Sequence, residues 1–111
     1  MPKPNLSARI VFSTVVNPEE AARLGRILVG EHLAACVTLL PGVQSIFHWK
    51  GTVEESVETL LMIKTGSDQL DALEARVHEL HSYATPEFLV LDVASGSARY
   101  LQWLGSCLGK A

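Results

Sequence analysis

The chain has 111 residues, 48% of them hydrophobic, which suits one globular domain with a core of its own. Its formal net charge is -3 and it has no block of lysine or arginine, so nucleic acid and anionic membranes are not expected as partners. No apolar run is long enough to span a membrane, and the N-terminal residues lack the apolar core of a signal peptide, so we expect a cytoplasmic protein.

The first part of the chain predicts a tail, a strand and a helix. Residues 1–7 are proline-rich and are expected to form a flexible tail. The β-branched and aromatic residues of 9–16 predict a strand. Asn17, Pro18 and Glu20 then suit an N-cap, a first helical position and a capping box, so a helix is expected from here to about residue 33.

Two long strands, residues 36–50 and 53–65, are predicted next, joined as a hairpin near Gly51. The first has fifteen residues and at roughly 3.3 Å each would span about 50 Å. A compact domain of this length is only about 35 Å across. The hairpin is therefore expected to overhang its own domain, unless it bends sharply, and to pack against a second copy of the chain.

The remaining residues predict a helix, a short strand and a last helix. Ser67 or Thr65 is expected to cap the first of these helices, and Ser95 with Gly96 to open the last. The strand is predicted over residues 87–93. Four apolar residues at helical spacing form the expected buried face of the first helix: Leu70, Leu73, Val77 and Leu80. The two cysteines are too few for a disulfide framework and are expected to be reduced.

This order predicts an α+β fold, a ferredoxin-like βαββαβ sandwich with a long β2–β3 hairpin and an extra C-terminal helix, in a single domain over residues 1–111. Right-handed crossovers place both helices on one face of the sheet. The other face should alternate with polar residues if it meets water. Residues 60–63 and 88–91 are instead apolar without alternation. We therefore expect an obligate homo-oligomer that covers the second face.

Several segments also carry a family resemblance, in order and with compatible spacing. They are residues 33–37, Pro41 with Gly42, residues 45–51, residues 63–65, residues 81–87, and Tyr100, Leu101 and Trp103. Together they resemble the CutA family, the divalent-cation tolerance proteins, over nearly the whole chain. The resemblance implies a homotrimer whose hairpins pair between subunits, a role in tolerance of copper and other divalent metals, and no assigned enzymatic reaction. We therefore expect a protein that is not an enzyme.

The best site candidate is the segment that contains His81, Tyr83, Pro86 and Glu87, where the second helix leads to the last strand. Histidine and glutamate suit copper or zinc, so His81 and Glu87 are the predicted metal ligands and Tyr83 a ligand-orienting residue. The alternative is structural: Pro86 and Tyr83 shape a turn, and His81 closes the helix next to its negative dipole end.

Four positions depart from the family pattern around this segment. Ser13 stands where copper-binding members have a cysteine, so the soft thiolate that copper prefers is missing. Leu80 replaces a histidine of some members, Ser82 a proline, and Ala84 a carboxylate or glutamine. A strong copper site of the family type is therefore not expected, although a weaker site shared with another subunit is.

Trp49 and Lys64 are the next candidates. The resemblance places them near a cleft between subunits, where with Tyr83 and Glu87 they would bind a small anionic or amphoteric molecule. The alternative is packing, with Trp49 as an interface anchor and Lys64 paired with Glu87 or Glu58. Glu58 itself, with its acidic neighbours at 54 and 55, is expected to form a solvated edge that resists wrong strand pairing.

Three further interpretations of the whole chain stay open at this point. It is a small-molecule sensor that signals through protein partners, an enzyme that uses His81 and Glu87 as acid and base, or a scaffold without a site. The enzyme requires an imidazole and a carboxylate within hydrogen-bond reach of one substrate position.

Overall fold

A computed structural model of the protein describes residues 7–109. Of the predicted tail, residues 1–7, all but residue 7 lie outside the described part of the chain. The elements in chain order are β1 (Ala8–Val15), α1 (Pro18–Gly30), β2 (Cys36–Trp49), β3 (Thr52–Gly66), a 3-10 turn (Ser67–Gln69), α2 (Leu70–Leu80), β4 (Leu89–Asp92) and α3 (Ala98–Ser106). The strands form an antiparallel sheet of order β2-β3-β1-β4. The predicted α+β, ferredoxin-like arrangement with a C-terminal helix is confirmed.

The core lies between one face of this sheet and the helices α1 and α2. Alternate residues of the two central strands point into it, among them Val11 and Val15 of β1 and Leu61 and Ile63 of β3. The helices contribute the apolar residues Ala21, Leu24, Leu28, Leu73 and Val77. Side chains on one face recur every two residues in a strand and every 3.6 residues in a helix. The core residues follow these two spacings, so local sequence patterns account for the core.

The helix starts were predicted with mixed success. Asn17 caps α1, since its side chain accepts a hydrogen bond of 2.8 Å from the Glu20 N–H. The capping-box role of the Glu20 carboxylate is wrong, because this carboxylate accepts hydrogen bonds from the backbone N–H and hydroxyl of Ser82. The predicted capping of α2 by Ser67 or Thr65 is wrong, because α2 follows the 3-10 turn directly and no side chain of the described residues caps it. At α3 the capping residue is Ser97 rather than the predicted start at Ser95 and Gly96.

The long hairpin overhangs the domain as predicted. Among the residues that the structure describes, β1 pairs with β3 from Thr59 to Gly66, and residues 43–49 and 52–58 pair only with each other. We call these residues the ribbon. Pro41 and Gly42 form an irregularity in the strand pairing but do not end the strand, and Lys50 and Gly51 make the turn with positive φ angles of 50° and 86°. The described chain measures 52 × 27 × 22 Å, with the ribbon projecting from the compact body.

Large apolar side chains are exposed on the ribbon, on β4 and on α3. Val57 and Ile46 of the ribbon are 67% and 64% exposed, and Leu89 of β4 is 58% exposed. Tyr100 and Trp103 of α3 form an exposed aromatic pair with ring centroids 5.4 Å apart. Of the residues predicted to make the second face apolar, 89–91 are exposed, whereas Leu60, Met62 and Phe88 are half-buried. Between residues 7 and 109, no helix has the length and apolar character needed to cross a membrane.

Candidate functional site

His81 lies at the end of α2, where the backbone leaves the helix in an extended conformation. Its side chain is fully buried. Nε2 lies 2.8 Å from the carbonyl oxygen of Thr14, and Nδ1 lies 3.0 Å from the backbone nitrogen of Tyr83. A carbonyl only accepts and a backbone N–H only donates, so Nε2 carries the proton and Nδ1 accepts. Both ring nitrogens of His81 are therefore engaged within one chain.

Tyr83 joins this histidine to a glutamate of the hairpin. Its ring centroid lies 4.7 Å from that of His81, and its hydroxyl donates a hydrogen bond of 2.6 Å to the Glu58 carboxylate. Glu58 is only 8% exposed, at the base of the ribbon. Burial, together with the hydrogen bond and negative charge of Glu58, raises the pKa of Tyr83 above its ordinary value. The phenol therefore remains protonated and acts as a donor.

Two further carboxylates belong to this neighbourhood. Burial and the charge of Glu58 raise the pKa of Glu87, so these two side chains act on each other electrostatically. The Glu20 carboxylate lies 4.0 Å from Nδ1 of His81. We call His81, Tyr83, Glu58 and Glu87 the motif cluster. Across residues 7–109, no group of three or more histidine, cysteine, aspartate or glutamate side chains is arranged to hold a metal ion.

Lys64 lies away from the motif cluster. Its ammonium donates a hydrogen bond of 2.9 Å to the Thr38 hydroxyl and lies 3.8 Å from the Cys36 sulfur. Six positions along β3 separate it from Glu58, which corresponds to about 20 Å. The expected pairing of Lys64 with Glu58 or Glu87 is therefore not found in the described part of the chain.

Trp49 lies at the tip of the ribbon, where it pairs with Thr52. Thr52 is six positions from Glu58 and twelve from Lys64 along β3, or about 20 Å and 40 Å. The indole is 50% exposed, and the Lys50 ammonium lies 5.7 Å from its ring centroid. One chain therefore brings His81 and Tyr83 together, with Glu87 in their electrostatic neighbourhood, but separates Trp49 and Lys64 from them and from each other.

Sequence reasoning missed the role of Glu58. The expected solvated edge is correct for its neighbours Glu54 and Glu55, which are exposed, but wrong for Glu58. The burial of Glu58 could have been inferred from its position, because it directly precedes the buried end of β3 that begins at Thr59. Its partner Tyr83 is 25 residues further along the chain, and no local pattern pairs the two.

The four departures from the family pattern occupy different environments. Ser13 is 2% exposed and lines the same small core void as His81, and its hydroxyl has no hydrogen-bond partner among the described residues. Leu80 is half-buried and packs against the core. Ser82 binds Glu20, and Ala84 is exposed. Ser13 therefore affects the interior next to the histidine, whereas Ala84 lies at the surface.

The sheet order, the projecting ribbon and the motif cluster define a ferredoxin-like α+β protein with an elongated central hairpin. Residues 9–107 match the sequence model of a family described as CutA1 divalent ion tolerance protein. The chain belongs to this family, as the resemblance indicated.

Individual relatives agree with this assignment. The divalent-cation tolerance protein CutA of Thermus thermophilus is 43% identical over 95 residues, which cover 86% of this chain and 92% of the relative. The chloroplastic protein CutA 1 of Oryza sativa is 42% identical over 86% of this chain, which spans only 54% of that relative's length. A crystal structure of CutA1 from Oryza sativa superposes with a TM-score of 0.92 at 38% identity, covering 96% of this chain and 97% of the other.

Proposed function

We propose that this CutA-family protein contributes to divalent cation tolerance as a homotrimer that binds a small ligand in a cleft between subunits. The observation that carries the proposal is the separation of the predicted site residues. Trp49 and Lys64 lie about 20 Å from Glu58 along the strands of the same chain. In the proposed trimer a neighbouring copy would bring these side chains to the motif cluster, because one chain keeps them apart.

The exposed apolar surface supports assembly. Val57, Val53 and Ile46 of the ribbon are each more than 60% exposed, and Phe47 and Trp49 are also exposed. Large apolar side chains exposed on a projecting hairpin are typical of interaction sites. Within residues 7–109, the ribbon has no partner strand beyond its own hairpin. A second and third copy would cover it.

The side chains favour an amphoteric ligand, with a binding role rather than catalysis. Glu58 and Glu87 offer carboxylates to a cationic group, Lys64 offers an ammonium to an anionic group, and Trp49 offers an aromatic face. Acid–base catalysis by His81 requires a ring nitrogen that faces a substrate. Both of its nitrogens bind the protein itself. Two other expectations stay predictions. One is that the protein is a small-molecule sensor that signals through protein partners, and the other is that it is cytoplasmic.

A divalent metal held by His81 and Glu87 is the second candidate, and the family's name supports it. The arrangement fits a metal poorly, because copper or zinc would need a free lone pair on the imidazole. His81 has none while Nδ1 accepts the Tyr83 N–H and Nε2 donates to Thr14. A metal would therefore have to displace one of these bonds and take its remaining ligands from another subunit.

Ligand-observed NMR with the free amino acids, each tested singly, examines the proposal. We expect at least one of them to bind the trimer, and Glu58→Gln and Lys64→Met each to weaken that binding at least tenfold. Glu74→Gln is the matched control, because Glu74 is an exposed glutamate of α2 outside the motif cluster. Binding that neither substitution weakens would contradict the cleft. Zinc binding that His81→Asn abolishes, in the absence of amino acid binding, would favour the second candidate.

A further inference from the structure

His81 is the most constrained side chain of the motif cluster. Its ring is fully buried, and the void beside it is lined by core residues such as Leu24, Leu61 and Val77. Each nitrogen has one protein partner at hydrogen-bond distance, the Thr14 carbonyl at 2.8 Å and the Tyr83 N–H at 3.0 Å. These partners are complementary, one acceptor and one donor, and they match a neutral imidazole with its proton on Nε2.

The two bonds connect three parts of the fold. Thr14 belongs to β1, His81 ends α2, and Tyr83 begins the segment that leads to β4. The bond from the Tyr83 N–H sets the backbone of that segment, and the phenol hydroxyl then reaches Glu58 on β3 at 2.6 Å. The imidazole therefore fixes where the Tyr83 hydroxyl lies, although it does not touch Glu58 itself.

We propose that His81 is a positioning residue, fixed as the neutral Nε2–H tautomer between Thr14 and Tyr83, and that it is not a metal ligand in this protein. It orders the turn that places the Tyr83 hydroxyl on Glu58. This arrangement depends only on contacts within one chain, so it is independent of the proposed amphoteric ligand and of the number of copies that assemble, and it argues against the second candidate, a metal held by His81.

Two substitutions separate the two bonds. The amide oxygen of His81→Asn lies close to the place of Nδ1 and can accept from the Tyr83 N–H, whereas the amide nitrogen of His81→Gln reaches the place of Nε2 and can donate to Thr14. Loss of the imidazole ring current shifts the phenol resonances of Tyr83 in both variants, because the two rings lie 4.7 Å apart. A positioning role predicts that these resonances move further in His81→Gln than in His81→Asn. A metal-ligand role predicts no such difference, because each substitution removes the imidazole.

The direct test is NMR of the uniformly ¹⁵N-labelled full-length protein, with zinc chloride as the probe. We expect one protonated and one unprotonated nitrogen on His81, with a through-hydrogen-bond coupling between Nδ1 and the Tyr83 amide nitrogen. Added zinc should leave both unchanged. The signals of His81 are assigned by their loss in His81→Asn, which separates them from those of the other three histidines.

The proposal is overturned if zinc shifts a His81 nitrogen and removes the coupling to Tyr83, or if the proton is found on Nδ1. It is also overturned if the Tyr83 resonances respond identically to the two substitutions. The wild-type measurement decides the question even if a variant fails to fold, because intraresidue correlations in ¹³C,¹⁵N-labelled wild-type protein identify the ring nitrogens of His81 without a substitution.

Discussion

Replacing Tyr83 with phenylalanine removes the hydroxyl that donates to Glu58 and leaves the rest of the ring in place. The O–H···O distance is 2.6 Å, which is typical of a hydrogen bond to a charged carboxylate. Such bonds contribute about 1.5–3 kcal/mol to stability. Because Tyr83 is only half-buried, water replaces part of the lost bond. We therefore expect Tyr83→Phe to lower the free energy of unfolding by about 1–1.5 kcal/mol.

A double-mutant cycle with Glu58→Gln measures this interaction directly. Urea unfolding of the wild type, the two single variants and the double variant gives the coupling free energy between the two side chains. All four proteins must be compared at one protein concentration, because assembly contributes to apparent stability. We expect a coupling of about 1 kcal/mol, since the amide retains the acceptor oxygen but loses the charge.

Tyr100→Phe is the matched control. Tyr100 is the other tyrosine of the chain and lies exposed on α3. Its substitution should change the free energy of unfolding by less than about 0.5 kcal/mol. A coupling between positions 83 and 58 that is indistinguishable from zero would refute the account of the motif cluster, since Glu58 would then not depend on the phenol.

Three other predictions concern single side chains. Thr59→Val should raise the free energy of unfolding by about 1 kcal/mol in urea unfolding, because the buried Thr59 hydroxyl has no partner among residues 7–109; a loss of stability would contradict this. Glu87→Gln should raise the thermal midpoint at neutral pH but not below pH 4.5. The pKa of Glu87 is raised in the fold, so its ionised form opposes folding only as the pH rises. A gain in the thermal midpoint that is the same at every pH would contradict this environment of Glu87. Val57→Lys should reduce the mass measured by light scattering, whereas Val16→Lys, at a valine that is also exposed but lies outside the ribbon, should not; equal effects would contradict the role of the ribbon.

The parts of the fold that follow local rules were predictable from the sequence. The Asn17 cap needs only the Glu20 N–H three residues later, and the strand and helix faces follow from periodicity. The overhang of the hairpin followed from the length of residues 36–50 alone. These features depend on neighbours within a few positions, so one sequence was enough.

The motif cluster and the Glu20 carboxylate beside it were only partly predictable, because their bonds join residues that are far apart in the chain. The Glu20 carboxylate had an apparent local role in a capping box, but Ser82 competes for it from 62 residues away. His81 has the residue type of a metal ligand, yet its nitrogens bind Thr14 and Tyr83. Residue type indicated where the candidate site lies, while the protonation of the imidazole required the three-dimensional contacts.

Static light scattering during size-exclusion chromatography measures whether the chain assembles as proposed, because both the covered ribbon and the cleft require other copies of the chain. The chain mass is 12.1 kDa, and we expect a single species of three times that mass at micromolar concentration. A stable monomer of 12.1 kDa would contradict the account, since Trp49 and Lys64 would then have no route to the motif cluster.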